Sequence, residues 1–111
     1  MSFSVIFENF KNLSAGTDAF KQLKNECENA LQAPSSSIDQ TALFLIYGFA
    51  KNYVLLYEDE AVESDFAQVA KQQLLNYMQT LNDALLNENT ELLLLSQNQI
   101  IQHYMQSLRI F

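Results

Sequence analysis

The chain has 111 residues, 49% of them hydrophobic, and a formal net charge of -7 with only six Lys and Arg. That is enough apolar material for one modest core, so disorder is excluded and a single domain spanning 1–111 is expected. The six basic residues are scattered and form no footprint able to neutralise phosphates, so neither nucleic acid nor an anionic membrane is expected as a partner.

One proline and two glycines leave few obligatory turns. A β-sandwich or barrel needs many, so the composition points to an all-α fold. Cys27 is the single cysteine and excludes a disulfide within the chain. The stretch MSFSVIFENF lacks a basic n-region and is interrupted by Glu8 and Asn9, so no signal peptide is expected. Together these features favour a reducing, cytoplasmic location.

The first forty residues predict either two short helices or one bent helix. Phe3, Ile6, Phe7, Phe10 and Leu13 form one stripe, and Phe20, Leu23, Cys27, Ala30 and Leu31 continue its phase as far as residue 33. Between them, Gly16 is a candidate glycine past a helix end and Thr17 or Asp18 a candidate N-cap. The break at residues 33–37 is the clearest in the chain. Pro34 disfavours helix before it, and Ser37 with Gln40 has capping-box spacing.

A third helix is predicted over 37–57 and contains the most apolar stretch, TALFLIYGFAKNYVLLY. It is too short to span a membrane: Lys51 and Asn52 break the run, and acidic rather than basic residues follow. Leu43, Ile46, Tyr47, Ala50, Tyr53, Val54 and Tyr57 make one stripe. Ala42, Leu45, Phe49 and Leu56 make a second, and Phe44 with Leu55 a third. A helix apolar on every side must be covered on every side, which a small bundle does poorly. Either the N-terminal segment folds over this helix or a second chain covers it, and Phe44, Tyr47, Phe49 and Leu55 are the candidate face for self-association into a homodimer or for an open apolar groove. Gly48 would be offset in mid-helix by a close helix crossing.

A fourth helix is predicted over 64–87, with Ser64 as its cap and Asp65 in its first turn. Its seam is Phe66, Ala70, Leu74, Tyr77, Leu81 and Ala84. Thr90 can cap a fifth over 90–110, with Leu93, Leu94, Ile100, Ile101, Tyr104, Leu108 and Phe111 on a broad stripe. Short connections between long helices give a single up-and-down bundle of four to five helices.

Chemistry is sparse. His103 is the single histidine and falls on a polar side, and Cys27 falls on an inward stripe. A Cys27–His103 dyad has no motif behind it, and the chain has no HExxH, paired-cysteine, EF-hand or glycine-rich phosphate pattern. Neither enzyme activity nor a metal or cofactor is expected. The one charged constellation is Glu58, Asp59, Glu60, Glu63 and Asp65, a solvated turn or a docking patch for a basic protein partner. The leading expectation is a non-enzymatic interaction module that self-associates. An acidic, immunity-like inhibitor of a basic partner is the alternative, and a small ligand held among Phe44, Tyr47, Phe49 and Tyr77 a third.

Overall fold

The computed structural model describes residues 1–33 and 37–111. Its helices in chain order are α1 (Phe3–Lys11), α2 (Thr17–Gln32), α3 (Gln40–Tyr57), α4 (Ser64–Leu86) and α5 (Thr90–Gln106). They form an all-α, up-and-down bundle with no strand among the described residues, as the patterning predicts. Pro34, the predicted breaker, lies outside the described residues.

The helix starts show which local rule won. Thr17, Ser64 and Thr90 are each the first helical residue, and the cap lies one position earlier at Gly16, Glu63 and Asn89. In NENT the Asn89 side chain accepts from the Leu92 N–H at 3.0 Å, because asparagine caps at least as well as the neighbouring threonine. Gly16 opens α2 instead of closing α1. Its φ of 142° with ψ of 177° is a region essentially restricted to glycine, and it makes α1 and α2 two helices, not one bent one. Ser37 and Gln40 form no capping box: the Ser37 hydroxyl accepts from the Asp39 N–H at 3.5 Å, and α3 starts three residues later.

The largest interface is between α2 and α3, while α1 packs on α4 and α2, and α5 on α4. Phe3, Ile6, Phe7 and Phe10 of α1 are all buried, so the N-terminal segment folds onto its own chain. An aromatic cluster ties the elements together. Phe20 of α2 stacks on Tyr53 of α3 at 3.7 Å and meets Phe10 of α1 edge-on at 5.4 Å. Phe49 of α3 lies 4.8 Å from Tyr104 of α5 and 5.5 Å from Tyr77 of α4.

The last segment departs from the predicted helix over 90–110. α5 ends at Gln106, where the Ser107 hydroxyl donates to the Tyr104 carbonyl at 2.6 Å and Arg109 takes a positive φ of 52°. This turns the tail back over the bundle. The Tyr104 hydroxyl donates to the Phe111 carbonyl, and the Phe111 ring, 1% exposed, closes the aromatic cluster against Phe20, Phe49, Tyr77 and Tyr104. Leu108, placed by periodicity on the same stripe, points into solvent.

The Cα radius of gyration of 13.4 Å is close to the value of about 13 Å expected for one domain of this length. Gly48 marks no helix crossing. Nothing lies within 4 Å of where its Cβ would sit, so no close approach offsets its helix-propensity cost.

Candidate functional site

The three faces of α3 meet three environments. Ala42, Leu43, Ile46, Phe49, Ala50, Tyr53 and Val54 are buried by α2, α4 and the C-terminal tail. Phe44 and Leu55 lie about three turns apart on the opposite side and stay 66% and 71% exposed. The face proposed from sequence therefore loses one member. Phe49 belongs to the core, because the tail that brings Phe111 against it cannot be inferred from the helical period of α3 alone. The same fact removes the ligand cage. Phe49 and Tyr77 pack together inside, whereas Phe44 and Tyr47, 6.1 Å apart, look outward. No one cavity joins the four.

Around Phe44 the surface is shaped. Between α3 and α5 lies a groove of about 310 Å³ lined by Thr41, Phe44, Leu45, Leu94, Gln97, Asn98 and Ile101. The Gln97 amide bridges it, donating to the Thr41 hydroxyl at 2.6 Å. None of these lining residues is charged. Leu94 and Ile101 were read from sequence as inward; they are 57% and 45% exposed. The inner side of α5 is taken by Leu93, Ser96 and Ile100. On its other side Phe44 borders a smaller depression with Leu31 and Tyr47, so its ring forms a ridge between two hollows. Farther along α3, Lys51 places its ammonium 6.0 Å from the Tyr47 ring centre and separates the Phe44 end from Leu55.

The acidic turn has two parts. Glu58 pairs with Lys21 of α2, and this hydrogen bond and attraction raise the Lys21 ammonium above its ordinary pKa. Asp65 lies in the first turn of α4, where the helix dipole favours it. Asp59, Glu60 and Glu63 are exposed and make no ion pair among the described residues. Glu60 and Glu63 also line an opening of about 520 Å³ with Leu56, Tyr57, Ala61, Val62 and Phe66. Sequence reading missed this juxtaposition, although the spacing of Leu56, Val62 and Phe66 around the turn was there to be seen.

The titratable core groups form no catalytic array. Cys27 is buried on α2, and burial pushes its thiol up to about 12, opposite to what a nucleophile needs. His103 is exposed on α5, as predicted, but it is not isolated. Its Nδ1 lies 2.6 Å from the Tyr77 hydroxyl, whose oxygen accepts from Gln73 Nε2 at 3.0 Å. The Tyr77 hydroxyl thus links Gln73 of α4 to His103 of α5. Burial raises the Tyr77 phenol above its ordinary value. Among the described residues no group of three or more His, Cys, Asp or Glu is placed to hold a metal ion, and no helix is long and apolar enough to cross a membrane. Compared with known protein families, curated proteins and solved structures, the chain matches none of them.

Proposed function

We propose that the protein is a non-enzymatic interaction module that self-associates through the Phe44 ridge and the adjoining α3–α5 groove. The observation that carries this is the pairing of a protruding aromatic ring with a neighbouring hollow of uncharged lining. A two-fold axis makes such a knob-and-hole surface self-complementary, with each Phe44 entering the groove of the other copy between Leu94 and Ile101. Charge supports the same placement. Two copies of a chain carrying -7 repel one another, so the α3–α5 groove, whose lining has no carboxylate, is where they approach at least cost, with Glu28 confined to the smaller depression on the other side of Phe44.

Light scattering coupled to size exclusion, across a dilution series, tests the reading. Particles of twice the 12.7 kDa chain mass are expected, more of them at high salt because screening weakens the repulsion. Phe44 has 66% of its surface left to bury. Its loss in Phe44→Ser removes about 1–2 kcal/mol per copy, so the dissociation constant rises roughly 30- to 700-fold over the two copies. The monomer's unfolding midpoint stays put, since the ring is already in water. A single-chain mass at every concentration and salt refutes the proposal.

A further inference from the structure

The corner where α3 turns into α4 carries an apolar opening of opposite character to the α3–α5 groove. Its floor is the edge-on pair of Tyr57 and Phe66, 5.1 Å apart, and its wall is Leu56, 53% exposed, with Val62. Its rim is acidic. Glu60 and Glu63 line it directly, Asp59 stands beside them, and all three are exposed and unpaired among the described residues. Residues 58–65 contain five carboxylates and no basic residue; Lys21 of α2 is held by Glu58.

These features select an occupant. A second copy would bring further carboxylates to a rim that already lacks counter-charge, and a purely apolar segment would leave that rim unanswered. A solely ionic partner would not use Leu56, Val62 and Phe66. We infer that this corner is a docking site for a basic amphipathic segment of another protein, with an apolar side chain seated between Leu56, Val62 and Phe66 and Lys or Arg on either side meeting Glu60 and Glu63. Apolar anchors in a groove supply affinity and the charged rim supplies approach rate and selectivity. This site does not depend on the Phe44 surface, and its salt dependence has the opposite sign.

The test uses the full chain and a fluorescent synthetic helical peptide with one Leu face and one Lys face, read by anisotropy. Binding is expected and should weaken as salt rises. Glu60→Gln with Glu63→Gln should weaken it roughly tenfold and flatten the salt dependence. Val62→Ser should weaken it while leaving the salt dependence intact, and Phe44→Ser should leave it unchanged. A Lys–Ser peptide without the apolar face should bind much less. Three results overturn the inference: no binding of the Lys–Leu peptide; equal loss on removing distant carboxylates in Asp83→Asn with Glu91→Gln, which would mean net charge alone; or loss on Phe44→Ser, which would place the peptide on the other surface.

Discussion

Removing the Phe111 ring tests the feature on which the core's closure rests. The residue is 1% exposed and touches rings from α2, α3, α4 and α5. Truncating a buried phenylalanine costs about 3–5 kcal/mol. Here the loss is limited from above. Once the anchor is gone, the five-residue tail can detach and regain conformational entropy of about 1–2 kcal/mol per residue. We therefore expect Phe111→Ala to lose about 3 kcal/mol, a large share of the roughly 5–15 kcal/mol available to a domain of this kind. At about 4 °C per kcal/mol, the melting midpoint falls by roughly 12 °C. Guanidinium and thermal unfolding followed by circular dichroism measure this. Leu108→Ala is the control on the same tail: at 98% exposure it should change stability by less than about 0.5 kcal/mol. Tyr104→Phe, which removes the donor to the Phe111 carbonyl, should cost about 1 kcal/mol. A loss under about 1 kcal/mol for Phe111→Ala, or an equal loss for Leu108→Ala, would refute the docked tail.

The two glycines should respond in opposite directions. Gly48→Ala enters open space in mid-α3 and is expected to stabilise by about 1 kcal/mol through helix propensity; a loss on denaturant titration would reveal a contact at that position. Gly16→Ala, at φ of 142°, should destabilise by about 1–3 kcal/mol, and an unchanged midpoint would mean the α2 start tolerates another backbone geometry. Cys27 should resist a thiol reagent in the native chain and react on unfolding. Its thiol is raised from 9.0 to about 12, so the folded chain holds the proton that the unfolded chain gives up, and stability falls as pH rises through that window. Between pH 9 and 10 Cys27→Ala should show a shallower fall than the parent, which shares every other titrating group; identical slopes would place the thiol in water.

Periodicity made much of the helical plan legible. Of the predicted seam of α4, Ala70, Leu74, Tyr77, Leu81 and Ala84 are buried as the step of three and four requires, and so are Phe3, Ile6, Phe7 and Phe10 of the first stripe, while Phe66 and Leu13 at the ends are only partly buried. Burial on an amphipathic helix is a local property, and the sequence carries it locally. The same reasoning failed on α5, where apolar residues surround much of the helix and period alone cannot choose a side. Leu93 and Ile100 turned inward, while Leu94 and Ile101 were left to line the groove. Cap positions slipped by one residue where two capping residues stood together, as at Asn89 and Thr90.

The amino-acid sequence by itself determined the class of fold, the three long helices after residue 37 and the acidic turn, because each follows from composition or from spacing within one segment. Only the tertiary structure decided which sides of α3 are covered. Phe49 is buried by a ring 62 positions away, Phe44 is left as a ridge between two hollows, and Leu56, Val62 and Phe66 acquire an acidic rim only when the turn folds. Contacts between distant segments depend on how the helices cross and where the tail returns, and no local pattern encodes either.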